Sequence, residues 1–406
     1  MGGWSERLGI EDVPLEDPRF RRVFAAEAVS LLGSRLAPVA LVFAVLDVSD
    51  AVGLGLVLAA RQIPHVALLL GGGVVADRSS PRSLLIGADL VMAVAQGLTA
   101  ALLILGAAEL WSLVALQAAY GAAQAFSGPA HTGLIADVVA RERLQAANSL
   151  RAFAESGASI AGPALAGVLV VAVGPGWGLA ADAATFACSA LLLASVHVSY
   201  RARAAAGRFL EDLRDGWRAF RAQDWLWRGV ALMSLWNGVW GVYQVLGPIV
   251  AADDLGGPGA RAAVSTAYGV GMVAGGLLLV RMRPRRPGLL LSGGLLVACG
   301  PALALGAGLP LAAVIATAVL AGAGLIGFNG TWESVMQREV PREQLSRVMS
   351  YDMFGSFILG PLGLALGGVL AAPLGAGPTL IAAGVLLAVL AAGLWCIPGM
   401  RALRDA

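Results

Sequence analysis

The sequence predicts an all-α polytopic membrane protein of twelve transmembrane helices, arranged as two pseudo-symmetric six-helix halves. Three observations predict it. Hydrophobic residues fill 58% of the 406 positions and only 13% are charged, where a soluble domain carries roughly 25%. A large core would hide some of that apolar content, but too few charged residues remain to cover a wetted surface. Second, the basic residues fall on alternate connections between apolar segments. Third, a patterned stretch of the first half recurs in the second.

The apolar segments run near 23–46, 52–75, 84–105, 109–130, 149–173, 177–197, 229–250, 262–280, 288–308, 310–331, 348–371 and 377–398. Each is long enough to cross about 30 Å of hydrocarbon at about 1.5 Å per residue. Spans 9 and 10 are parted only by a Gly/Pro turn, GAGLP. Much of the glycine, 54 residues, lies inside these runs, where small residues let helix backbones approach closely. Residues 1–18 are polar and acidic and the first apolar run is too long for a signal h-region, so no cleavable signal peptide is expected.

Every basic residue is arginine. With the N-terminus inside, the cytoplasmic segments hold Arg7, Arg19, Arg21 and Arg22, then Arg78 and Arg82, then Arg141 and Arg143. The central connection carries seven arginines from Arg201 to Arg228, the next four from Arg281 to Arg286. Arg338, Arg342, Arg347, Arg401 and Arg404 complete the set, whereas the opposite side has only Arg261. This positive-inside alternation places both termini in the cytoplasm. It divides the chain into a cytoplasmic segment (1–22), a six-helix bundle (23–197), a cytoplasmic linker (198–228), a second bundle (229–398) and a short tail (399–406). Within the linker, Leu210, Leu213, Trp217 and Phe220 share one helical face, as in a helix lying at the membrane interface or packed against the bundle.

The repeat is explicit. Arg141-Glu142-Arg143-Leu144 and Arg342-Glu343-Gln344-Leu345 lie 201 residues apart, as do Gly167-Val168-Leu169 and Gly368-Val369-Leu370. Between them each half has a Gly-Pro step, Gly162-Pro163 and Gly360-Pro361. Two like-oriented halves imply a pseudo-two-fold axis along the membrane normal and a cavity that opens to either side by rocking.

Two motifs carry a resemblance. GVVADRSSPR, between spans 2 and 3, matches the loop G-x-x-x-D-R-x-G-R-R at Gly73, Asp77, Arg78 and Arg82, with Ser80 and Pro81 departing from it. ASIAGPALAG in span 5 is similar to the antiporter motif G-x-x-x-G-P-x-x-G-G, keeping Gly162, Pro163 and Gly167, with Ala158 and Ala166 in place of two glycines. Over nearly its whole length the chain resembles the major facilitator superfamily, closest to the bacterial drug and siderophore exporters, the macrolide-efflux and enterobactin-exporter-like branch. The resemblance implies a gating network at the loop, for which Asp137 and Glu142 are candidate acids facing Arg78 or Arg82. It implies efflux of a drug-like or siderophore-like molecule, with multidrug or antibiotic resistance as the outcome. A facilitator or importer of a metabolite on the same fold is the alternative.

Charges inside the bundle are costly and therefore candidates for function. Glu27, Glu155 and Asp352 are the candidate proton carriers, with Arg35 and Arg61 as counter-charges. Asp89 and Asp182 lie nearer helix ends and read as structural. Gln117, Gln124, Trp236, Asn237, Trp240, Tyr243 and Gln244 are candidates for the substrate cavity, an aromatic wall beside amides suiting a bulky amphipathic compound. The expected partners are thus a small organic substrate, protons and lipid, with the protein a monomer in the cell membrane. The net charge of +2 gives no reason to expect nucleic acid. The scattered histidines and three lone cysteines give no metal site or disulfide framework, and no cofactor is expected. Neither a G-x-x-x-x-G-K-[ST] nucleotide loop nor a nucleophile–base set is present, which argues against an ATP-driven pump and an enzyme.

Overall fold

The computed structural model describes residues 14–140, 143–196, 209–281 and 286–400. Outside them fall most of the N-terminal segment, Arg141 and Glu142, the linker arginines up to Arg208, most of the RMRPRRP run, and the tail. The described residues form helices and no strand. In the first half these are α1 (Pro18–Leu46), α2 (Ala51–Arg78), α3 (Pro81–Ile104), α4 (Leu110–Val138), α5 (Leu144–Val173) and α6 (Pro175–Ala194). After the linker helix α7 (Phe209–Ala222) come α8 (Asp224–Leu255), α9 (Pro258–Arg281), α10 (Pro287–Ala298), α11 (Gly300–Gly306), α12 (Leu311–Glu339), α13 (Arg342–Phe357), α14 (Gly360–Leu374) and α15 (Ala376–Cys396).

Local chemistry sets the helix ends. Asp17 accepts from the Arg19 amide and Asp50 from the Gly53 amide, each satisfying an orphan donor at a helix start. The Arg19 side chain also bonds Asp17 and holds its carboxyl below the ordinary range. Pro18, Pro81 and Pro175 occupy first-turn positions, where a missing N–H costs nothing. Gly174 and Gly375, at φ +95° and +83°, make the tight turns after α5 and α14.

Nine stretches among the described residues are long and apolar enough to cross a membrane. The described helices follow the expected spans. Span 9 has a turn at Cys299, ahead of Gly300-Pro301, and span 11 has one at Ile358–Leu359, ahead of Gly360-Pro361. The backbone stays in the right-handed helical region at these residues, so the two stretches, Pro287–Gly306 and Val348–Leu374, each run on as one span. Gly162-Pro163 of the first half sits inside α5. At the second turn Asn237 Nδ2 donates to the Ser356 carbonyl at 3.0 Å, filling a main-chain acceptor in the last turn of α13.

The pairing of helices shows the two-fold relation. In the first half α1 packs on α5 and α6, α2 on α4, and α3 on α4 and α6. In the second half α8 packs on α13, α14 and α15, α9 on α12, and the pieces α10 and α11 on α12 and α15. Each of these pairings of one half thus has its counterpart in the other. The main contacts between halves are α5 with α9 and α2 with α14, again a symmetric pair. The linker helix α7 lies on α13 and α8, its Trp217 and Phe220 rings 5.6 and 6.0 Å from Tyr351. Of the two settings expected for it, this is packing against the bundle. The side chains of Leu210 and Leu213 lie outside the described ones.

Candidate functional site

The halves meet at the end away from the arginines. On α2, Gly55 approaches the Leu364 carbonyl, and on α14, Gly368 lies against Ala51. On α5, Gly167 faces Ala262 of α9, and nearer mid-depth Gly269 lies against the Ser159 carbonyl. The antiporter-like motif explains this closeness. Gly162 lets α5 approach Arg35 and Leu36 of α1, while Gly167 lets the opposite face of α5 approach α9. Ala158 is buried and Pro163 lines a cavity. A Gly167→Leu side chain cannot fit against Ala262, so this end is expected to be held apart. Spin labels on α5 and α9 would register the widening; an unchanged distance distribution would count against the seam.

Toward the arginine-rich end a cavity of about 600 Å³ opens inside the first half, lined by all six of its helices. Two ion pairs between α1 and α5 dominate it. Arg151 grips Glu27 with its Nε at 2.8 and 2.9 Å from the two carboxylate oxygens and Nη2 at 2.6 Å from Oε1. Arg35 Nη2 meets Glu155 Oε1 at 2.6 Å. The Glu27 side chain is 6% exposed and that of Glu155 is 53% exposed. His131 Nδ1 stands 3.9 Å from Glu27 Oε1, and His65, Asp89 and Gln124 share the same walls.

A second cavity of about 310 Å³ lies between the halves, bounded by α1 and α5 on one side and α8, α9 and α12 on the other. Trp240, Tyr243 and Gln244 line it, as do Tyr268 and Arg261. Ser34 and Arg35 line both cavities and so join them.

The remaining candidates lie elsewhere. Gln117 is fully buried and donates to Gln96 Oε1 at 2.8 Å, and Gln96 donates to Asp182 at 2.7 Å, a polar chain locking α3, α4 and α6. Trp236 is buried in the second half's core, stacked 5.1 Å from Trp240, and Asn237 donates to the Ser356 carbonyl beside the turn in span 11. Neither Trp236 nor Asn237 borders the two cavities. Asp352 accepts from the Trp332 indole at 3.0 Å, tying α13 to α12, away from both cavities. Arg61 lies 4.0 Å over the Tyr120 ring, a cation–π contact between α2 and α4.

At the gating loop Arg82 makes no ion pair with Asp137 among the described residues. Its Nε and Nη2 donate to the carbonyls of Leu193 and Ala194 at 2.9 and 2.7 Å, and Arg22 donates to the Ser195 carbonyl at 3.1 Å. The C-terminal end of α6 offers orphan carbonyls and the negative end of a helix dipole, which outcompete an exposed carboxylate such as Asp137. Gly73 lies within α2; the side chains of Asp77 and Arg78 lie outside the described ones, as does Glu142.

Sequence reasoning missed Arg151, Arg261 and the placing of His65 and His131 on the walls of one cavity. A signal existed for the first: Arg151 and Glu155 are four apart on α5, hence on one face, and can answer Glu27 and Arg35 of a parallel helix.

The family model for the Major Facilitator Superfamily matches residues 23–364. The chain is 22% identical over 385 residues to Macrolide efflux protein A of Streptococcus pyogenes, covering 92% of this chain and 94% of that protein. Among solved structures it is similar to a POT family transporter in complex with 5-aminolevulinic acid, at TM-score 0.74 and 12% identity over 94% of this chain and 96% of that one. It is also similar to a bacterial homologue of the human lysosomal transporter Spinster, inward-facing and unoccupied, at TM-score 0.70 and 15% identity over 96% of this chain and 99% of that one. With its paired halves, its seam at one end and its cavities between and beneath them, this multi-pass membrane protein is a transporter that belongs to the Major Facilitator Superfamily.

Proposed function

We propose that the protein exports a small organic molecule, drug-like or siderophore-like, from the cytoplasm in exchange for protons, by alternating access across the cell membrane. The proposal includes twelve crossings, both termini in the cytoplasm, and two six-helix bodies, 23–197 and 229–398, acting as one monomer. The observation that carries it is the Arg35–Glu155 pair, which stands where the two cavities meet while the halves are drawn together at the far end. Full-length similarity to Macrolide efflux protein A supports the outward direction, and the arginine distribution makes the cavity end cytoplasmic.

The chemistry follows from the pair. When a proton neutralises Glu155, Arg35 loses its counter-charge and is free to reorient at the junction of the cavities. When the proton leaves, the pair re-forms and draws α5 against α1. Glu155 faces the cavity half-exposed, whereas Glu27, gripped by Arg151 and screened from water, serves to hold the first half together. Glu155→Gln is expected to remove proton-driven efflux while leaving substrate binding and folding intact. Efflux of dyes, macrolides, tetracyclines and siderophores from oriented vesicles, with and without an uncoupler, tests this. Uncoupler-sensitive efflux at the original rate in the variant would remove Glu155 from the mechanism. Net inward flux in the absence of a proton gradient would assign a facilitator instead.

A further inference from the structure

The cavity between the halves holds an unusual cation. Arg261 sits in the first turn of α9, where the positive end of the helix dipole disfavours a guanidinium. It lines the cavity and hydrogen-bonds the uncharged phenol of Tyr243, while its Nε has no hydrogen-bond partner. Among the described residues no carboxylate comes within ion-pair distance of it, and no acidic side chain lines this cavity at all. The other cation on its walls, Arg35, is already paired with Glu155.

An arginine withdrawn from bulk water without a counter-ion is expensive, and the same desolvation makes it a strong site for an anion. Beside it the rings of Trp240 and Tyr243 lie 4.6 Å apart on α8, and Tyr268 completes an aromatic surface on α9. A volume of about 310 Å³ fits a molecule of one or two fused rings. From this arrangement we infer that the cavity between the halves selects organic anions, an aromatic body lying on Trp240 and Tyr243 with its carboxylate, sulfonate or phosphate group on Arg261. Basic amphipathic compounds are disfavoured there, because they would bring a second uncompensated cation beside Arg261. The inference rests on the transport reading, whose substrate class it narrows.

The test uses the purified full-length protein and a matched pair of radiolabelled probes, 2-naphthylacetate and 2-naphthylacetamide, with empty micelles as the blank. The pair shares its ring system and differs in charge. The acid is expected to bind about tenfold more tightly than the amide, the gain of one charge-assisted bond in a desolvated site. Arg261→Gln should reduce that preference to near unity, and Arg261→Lys should keep most of it. Size-exclusion profiles establish that both variants are folded; if Arg261→Gln is not, the wild-type comparison of acid with amide and the lysine variant still decide. Equal or absent binding of the two probes by the wild-type protein, or an undiminished preference in Arg261→Gln, overturns the inference. The outcome is independent of flux direction: acid selectivity with no export in vesicles would refute the efflux reading alone, whereas export of neutral compounds by a protein without acid selectivity would refute this inference alone.

Discussion

Glu27→Gln and Arg151→Gln are each expected to weaken the first half more than the double substitution does. Removing one partner of a buried ion pair leaves the other charge uncompensated, at a cost of about 3–5 kcal/mol when both are fully buried. The Arg151 side chain is 28% exposed to the cavity, so water recovers part of this and about 1–3 kcal/mol is the expected range. Glutamine retains the shape and one acceptor but loses the two-oxygen grip that Arg151 makes. Thermal unfolding of the four proteins of the double-mutant cycle checks it. The prediction requires a coupling well above the scatter of the melts, with Glu27→Gln/Arg151→Gln more stable than Glu27→Gln alone. Additive effects would mean that the pair contributes nothing to the packing of α1 on α5.

The second large effect is steric. A Cβ placed on Gly121 of α4 would fall on the Arg61 carbonyl of α2. Backbone rather than a flexible side chain blocks it, so the crossing of these two helices must open. Overpacking in a tight core typically costs about 1–3 kcal/mol and more when the backbone itself has to move. Gly121→Val is therefore expected to abolish recovery of monodisperse protein from membranes. Gly87→Ala, on α3 with no atom within 4 Å of the added carbon, should be recovered like the wild type. Fluorescence-detected size-exclusion chromatography separates the two outcomes. Equal recovery of both variants would show that the α2–α4 approach is not needed for folding.

Much of the architecture was legible because lipid imposes simple rules. Apolar length sets a helix long enough to cross, and a 201-residue recurrence between Arg141 and Arg342, or Gly167 and Gly368, gives the symmetry. The turns at Cys299 and at Ile358–Leu359 were not legible, since a Gly-Pro step inside a span is found both within a regular helix, as at Pro163, and beside a local turn, as at Pro361. The site was legible only in part. Glu27, Arg35 and Glu155 stand out as charges in apolar runs, but their partners depend on how α1 and α5 are rotated about their axes. Arg151 went unnoticed because it lies two residues inside its span. Arg261 looked like a loop residue, because periodicity does not reveal that the turn of α9 carrying it folds in beneath Tyr243. Gln117 and Trp236 have the composition of a cavity wall and are used as core, which is decided by helix rotation and not by residue type.

The linker helix rests on the Tyr351 platform of α13, while most of the seam with α2 is made by α14 of the same span. A load on the connection between the halves therefore enters the eleventh span at the end away from the seam, with the Gly360-Pro361 step lying between the two.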